Sequence, residues 1–324
     1  MTDQSSKISS DTVKTESQQD LLQFLADEGV DRAMLDEVRA FRERFPVQDP
    51  ALAHRIPVPD CFYYGKDVWE EALAALLAGK NLLLSGPKAT GKNVLAQGLG
   101  AAFGRPEWDV SFYVNTDSSS LIGTDTFRDG AVQLRKGPIV RCAEEGGFGV
   151  LDEINMAKNE SLAVLHAALD FRRVIDIPGY ERIHLHEAAR FIGTMNYGYA
   201  GTRELNEALA SRFMVIRMPV ISQEHLKKLL SEVFPNLKES SAEQMALLFQ
   251  DIRAKCEGGE ISTKSLDLRG LIASIRLIDR GLPAGAAIEL GMVNKCFEDY
   301  ERQLVLDLVS VRIPRSMGRD DMFR

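Results

Sequence analysis

The sequence is poor in most features that classify a chain quickly. Its four cysteines (Cys61, Cys142, Cys256 and Cys296) lie far apart with no C-x-x-C pair, which excludes a zinc ribbon and a disulfide framework. No apolar run approaches the roughly 18 residues of a membrane-spanning helix, so no membrane span is expected. The first twenty residues, MTDQSSKISSDTVKTESQQD, lack the apolar stretch of a secretory signal, and the expected address is the cytoplasm. Positive charge is the minority: 39 Lys and Arg against 47 Asp and Glu leave a net charge of −8. That balance argues against a chain held to nucleic acid or an anionic membrane by its overall field. Histidine is scarce as well. His184 and His186 alternate on a strand and share a face, but no third ligand lies nearby, so a polar hairpin face is favoured over a metal site.

What is present suits two compact units. The chain has 324 residues, 45% of them apolar and 27% charged. Residues 1–20 are polar and Ser/Thr-rich, and a disordered tail is expected. Over 21–50, Leu21, Leu22, Phe24, Leu25, then Met34, Leu35, Val38 and Phe41 recur at helical spacing, split by Gly29 and ended by Pro46; no role follows from this. From 51 to 220, after a helix at Asp67–Leu77, short apolar runs alternate with helical segments. The expected strands are Asn81–Ser85, Val110–Asn115, Gly149–Asp152, Phe191–Asn196 and Phe213–Met218, with helices at Val94–Phe103 and Asn159–Leu169. This alternation predicts an α/β domain with a central parallel sheet flanked by helices. From 221 to 324 only helices are expected, at Gln223–Val233, Ala242–Ala254, Ser265–Arg280 and Gly285–Asp307, forming a small all-α lid.

The run LLLSGPKATGKNVL contains Gly86-Pro87-Lys88-Ala89-Thr90-Gly91-Lys92 between an apolar strand and a helix that opens at Asn93 and Val94. This is G-x-x-x-x-G-K in a strand–loop–helix context, which predicts a P-loop. Its main-chain N–H groups and the helix N-terminus suit phosphate oxygens, and Lys92 suits the β- and γ-phosphates. An ordinary Gly-rich turn is the alternative reading. Asn93 stands where Ser or Thr would give Mg²⁺ a hydroxyl; its carboxamide oxygen is a neutral ligand, directly or through water, or else it weakens metal binding.

Further along, GFGVLDEIN is an apolar strand ending in two carboxylates. Asp152 suits a Mg²⁺-positioning role, and Glu153, pointing differently, suits activation of an attacking water. FIGTMN ends at Asn196, an amide able to hold that water at a strand end. Arg212, between LNEALAS and a strand, is either a surface cation or a group that reaches the γ-phosphate on a neighbouring subunit. Tyr63 and Tyr64 suit either an adenine pocket or packing, and Trp69 and Trp108 suit packing.

In this order (phosphate loop, LDE, TMN, SRF, helical lid) the motifs resemble an AAA+ ATPase, and more narrowly its MoxR-type, dynein-related branch. The narrower resemblance rests on KGPIVRCAEEGGFGVLDEINMAKNESLAVLHAALD, on TMNYGYAGTRELNEALASRF and on two hairpin-like insertions. These are TDTFRDGAVQLRKGP, turning at Asp129-Gly130, and VIDIPGYERIHL, turning at Pro178-Gly179. It spans roughly residues 55–300. It implies a P-loop NTPase that uses ATP and Mg²⁺, with Gly91 and Lys92 on phosphate, Asn93 and Asp152 at the metal, Glu153 as base, Asn196 as water-positioning sensor and Arg212 as intersubunit finger. The lid would add a cation on the nucleotide; Lys264 and Arg269 compete, and bidentate geometry favours Arg269. The resemblance also implies a homo-oligomeric ring, expected to be a hexamer, that remodels, activates or matures a partner protein, either one with a von Willebrand factor A domain or a metalloenzyme under assembly. The hairpins correspond to partner-contacting insertions. The alternatives are a nucleotide-dependent interaction module with low turnover and a GTP-preferring, McrB-like DNA-restriction motor.

Overall fold

The computed structural model describes residues 21–197 and 203–324; the expected tail at 1–20 and residues 198–202, inside the TMN-to-SRF stretch, lie outside them. The chain forms two compact units, one running to Pro87 and through Gly91–Met218, the other comprising Lys88–Thr90 and Pro219–Arg324.

The first unit is built on β1 (Asn81–Ser85), β2 (Glu107–Ser111), β5 (Phe148–Asp152), β8 (Arg190–Met195) and β9 (Phe213–Arg217), with hairpins β3 (Gly123–Arg128)–β4 (Ala131–Lys136) and β6 (Val174–Ile175)–β7 (Ile183–His184) inserted between them. The five long strands form one parallel sheet in the order β2-β5-β8-β1-β9. Side-chain alternation on β1 feeds both faces: Leu82 and Leu84 enter one apolar cluster and Leu83 the other. All five residues of β1 are buried, as expected for a central parallel strand.

β2 begins three residues earlier than its apolar pattern predicts and ends at Ser111. Glu107 and Trp108 are buried and pair with Phe148 and Gly149, whereas Tyr113 and Val114, which resemble strand residues in sequence, are exposed. The expected helix at Asn159–Leu169 is two short ones, Asn159–Leu162 and Leu165–Leu169.

The face of the sheet formed by Leu82, Leu84, Val150 and Ile192 is covered by residues 21–27 (α1), α2 (Arg32–Arg44), α4 (Lys66–Leu77) and α5 (Lys92–Phe103), with α3 (Pro50–Ala53) in the connecting segment. The N-terminal helices are therefore part of this core. Phe41 packs edge-on to Phe103 at 5.0 Å. Arg42 Nε and Nη2 donate to the carbonyls of Ala102 (2.6 Å) and Ala101 (3.0 Å) in the last turn of α5. Arg105 then joins the carbonyls of Phe45 and Gly146, tying the end of this helical pair to the turn before β5.

Both hairpins are present. β3 and β4 pair in register from Gly123↔Lys136 to Arg128↔Ala131, and Asp129 and Gly130, both at positive φ, make the predicted turn. The second is shorter than its sequence suggests, two residues a side, because Tyr180 N–H turns back to the Ile177 carbonyl.

The second unit is helical among its described elements: α6 (Gln223–Val233), α7 (Glu239–Glu257), α8 (Leu268–Asp279), α9 (Ala284–Gly291), α10 (Asp299–Arg312) and α11 (Arg319–Met322). The continuous helix expected over Gly285–Asp307 is broken. Met292, Val293 and Cys296 stay buried across the bend, so the apolar spacing continues where the backbone does not.

Candidate nucleotide site

The glycine loop leaves β1 beside β8, where Gly86 N–H donates to the Met195 carbonyl at 3.2 Å. Pro87, Lys88, Ala89 and Thr90 carry it around, and both Ala89 (φ 59°) and Gly91 (φ 78°) are left-handed. Gly91 also lies against Tyr63: an added Cβ would sit 2.9 Å from the ring, so a larger residue there is both strained and blocked. Tyr63 packs on the loop and Tyr64 lies edge-on to Phe24 at 5.2 Å. Lys92, Asn93 and Val94 form the first turn of α5. Beneath that helix, the fully buried Trp69 fills the space Gly98 leaves.

Lys92 is buried, and Nζ donates to the carbonyls of Gly86 (3.0 Å) and Pro87 (2.7 Å). Burial lowers its proton affinity to about 8, opposed by the charges of Asp152 and Glu153. The ammonium and the two carboxylates thus act in one electrostatic field.

The carboxylates lie where β5 ends. Glu153 is left-handed (φ 54°), which turns it out of the strand after Asp152. Asn196, just past β8, donates from Nδ2 to Glu153 Oε1 at 3.0 Å. The structure therefore brings together Glu153, Asn196, Asp152 and the field of Lys92.

Arg212 stands in the turn before β9. It donates to the Ala208 carbonyl and forms an ion pair with Asp170, Nη2 to Oδ2, at 3.4 Å. Asp170 also accepts from the side chain and main chain of Arg172, and these bonds, with the nearby guanidinium charges, hold its carboxyl below the usual range. Lys264 and Arg269 belong to the second unit. Lys264 Nζ lies 5.3 Å from the Phe297 ring centre, and the Arg269 main chain is capped by Asp267 at 3.0 Å.

Three residues of this arrangement went unassigned in the sequence. Thr194 is fully buried and bonds both to Asp152 and to Glu153 N–H. Asn155 donates to the Asn196 carbonyl at 2.7 Å, and its buried Oδ1 has no partner. Asp170 holds Arg212. For Thr194 a signal existed: it lies two residues before Asn196 on a strand, the spacing that shares a face.

His184 ends β7, whereas His186 lies beyond the strand, edge-on to Phe45 at 5.7 Å with Nδ1 accepting from Ala188 N–H at 3.0 Å, so the two do not share a strand face as expected.

The donor set fits a magnesium-bound nucleoside triphosphate. Hard oxygen donors (the Asp152 carboxylate and the Asn93 carboxamide) adjoin an ammonium and a helix N-terminus, the chemistry that a hard dication and phosphate oxygens require.

Residues 81–213 match the family described as AAA domain, dynein-related subfamily. The uncharacterized protein YojN of Bacillus subtilis is 34% identical over 243 residues, covering 74% of this chain and 80% of that protein. An uncharacterized Staphylococcus aureus protein is 33% identical over 250 residues, covering 75% and 95%. Among solved structures, a RuvB variant of Thermotoga maritima aligns with a TM-score of 0.47 at 18% identity, covering 77% of this chain and 70% of that one. Among the described residues, no helix is long and apolar enough to cross a membrane.

Proposed function

Because the chain belongs to the dynein-related subfamily of AAA-domain proteins, we propose that it hydrolyses Mg²⁺-bound ATP in a MoxR-like homo-oligomeric ring, a hexamer, and uses the cycle to remodel, activate or mature a partner protein. The observation that carries the reading is the Asn196–Glu153 hydrogen bond at the strand ends beyond the Lys92 loop. Lys92 and the loop N–H groups bind the phosphates. Asp152 and Asn93 would hold Mg²⁺, which supplies charge neutralisation on the phosphate oxygens. Asn196 orients Glu153 and the attacking water, and Glu153 accepts the water proton as the new P–O bond forms and ADP leaves with the electron pair of the broken one. Arg212 stabilises transition-state charge on a neighbouring subunit's nucleotide.

The β3–β4 hairpin supports a protein partner, for instance one with a von Willebrand factor A domain. Its register pair Phe127 and Val132 is 77% and 61% exposed, and Tyr180 Oη donates to Asp125 at 2.7 Å, linking the second hairpin to the first. Exposed apolar pairs of this kind mark contact surfaces.

The test is ATP turnover of the full chain at concentrations where rings form, for wild type, Glu153→Gln and Arg212→Ala. Turnover lost in Glu153→Gln with nucleotide still bound supports the assignment. Wild type that neither binds nor hydrolyses ATP sinks it, and an Arg212→Ala protein as active as wild type removes the finger.

Asn93 favours a second reading, a nucleotide-dependent interaction module with little turnover, since a carboxamide in place of a hydroxyl would permit nucleotide binding but compromise the metal geometry. A large gain in turnover for Asn93→Thr would support it.

A further inference from the structure

We propose that Thr194 is a positioning residue that sets the metal-side carboxylate and the general base as one unit. The inference rests on the nucleotide-hydrolysis reading of this site.

The sheet itself leads to it. The β5–β8 ladder runs from Phe148↔Arg190 to Leu151↔Gly193 and stops, although both strands continue. The next rung would place Asp152 opposite Thr194. Main-chain pairing cannot extend past it, because Glu153 leaves the strand with φ 54°. A residue other than glycine in that conformation is strained, and it turns the chain that follows out of the sheet.

The Thr194 hydroxyl takes the place of the missing rung. Oγ1 accepts from Glu153 N–H at 3.0 Å and donates to Asp152 Oδ1 at 2.6 Å. Its single proton is thereby committed to the carboxylate and a lone pair to the amide. The bond to Asp152 is short and charge-assisted, and it fixes the rotation of the carboxylate by engaging one of its oxygens. The bond to Glu153 N–H anchors the backbone from which the base projects toward Asn196. Thr194 has no exposed surface, so water cannot replace the hydroxyl without repacking. One hydroxyl therefore links the orientation of the metal-side carboxylate to that of the base.

Thr194→Val keeps the shape and removes the hydroxyl, whereas Thr194→Ser keeps the hydroxyl and removes a methyl. The first readout needs neither metal nor turnover: amide hydrogen exchange at Glu153 in the nucleotide-free full chain. Thr194→Val is expected to speed exchange at least about tenfold, and Thr194→Ser to keep it near wild type. The second is the Mg²⁺ dependence of ATP turnover. Thr194→Val should lower kcat at least about tenfold and raise the Mg²⁺ needed for half-maximal rate several-fold, with KM for ATP changing less than about threefold; Thr194→Ser should restore both. If Thr194→Val fails to fold, Thr194→Ser is compared with Thr194→Ala on the same two readouts. The proposal is overturned if wild type turns over and Glu153→Gln does not, yet removing the hydroxyl leaves Glu153 exchange and Mg²⁺ demand unchanged. Wild type without turnover overturns the hydrolysis reading instead, and exchange at Glu153 still decides whether the hydroxyl anchors that backbone.

Discussion

Asn196 Nδ2 donates to Glu153 Oε1 across 3.0 Å, joining a residue just past β8 to one just past β5. An amide donor keeps the carboxylate oriented without taking its proton-accepting role. Asn196→Ala is therefore expected to lower kcat by about 10- to 100-fold with little change in KM for ATP. Asn196→Asp should be worse, because a second carboxylate beside Glu153 raises its proton affinity and disfavours the ionised base. Steady-state ATPase assays decide, and an Asp variant as active as wild type would remove Asn196 from the reaction.

Lys92 makes nucleotide affinity depend on pH. Burial brings its proton affinity down to about 8, while a bound triphosphate favours the ammonium and raises it. Below about pH 8 the free protein already carries the charge and affinity should be flat; above it, binding must take up a proton and affinity should fall by up to about tenfold per pH unit. Titration with a fluorescent ATP analogue between about pH 7 and about pH 9.5 measures this, and constant affinity throughout would contradict it.

The ion pair between Asp170 and Arg212 holds the proposed finger against its own chain. Asp170→Ala should leave nucleotide affinity unchanged at low protein concentration. At ring-forming concentrations it should lower turnover by about 3- to 10-fold, because the guanidinium is no longer aimed. ATPase rate against protein concentration separates the two regimes. Equal loss in both would show that Asp170 acts through folding.

Glu107 offers a stability test away from the site. Burial, with Asp109 beside it, pushes its carboxyl up to about 9, and one of its oxygens has no hydrogen-bond partner. Between the ordinary carboxylate range and about pH 9 the unfolded chain ionises at this position while the folded one stays protonated, so stability falls as pH rises. Glu107→Gln removes that loss. It should stabilise the fold by about 1–3 kcal/mol at neutral pH, seen as a higher melting temperature, with a gain that grows toward pH 8. Calorimetry across that range would reject the idea if the variant were less stable throughout.

Much of this molecule was determined by local sequence. Strand β1 and helix α6 lie where their apolar spacing and flanking residues predict. The glycine loop, the LDE strand end and the Asp129-Gly130 turn were legible because their chemistry depends on near neighbours in the chain. Other features depended on residues distant in sequence. The spacing of Leu21 to Phe41 predicted helices but not that they complete a core with α4 and α5, since periodicity names the apolar face and not what covers it. The pattern also misplaced β2, because Glu107 is polar in sequence and buried in the fold. Asp152, Glu153, Thr194 and Asn196 come from two stretches some forty residues apart that meet only because β5 and β8 are neighbours in the sheet. Local sequence assigns the charge, the amide and the hydroxyl to their positions. The parallel pairing of those strands decided which of them touch, and the left-handed turn at Glu153 ended the ladder so that a side chain, not the backbone, joins them.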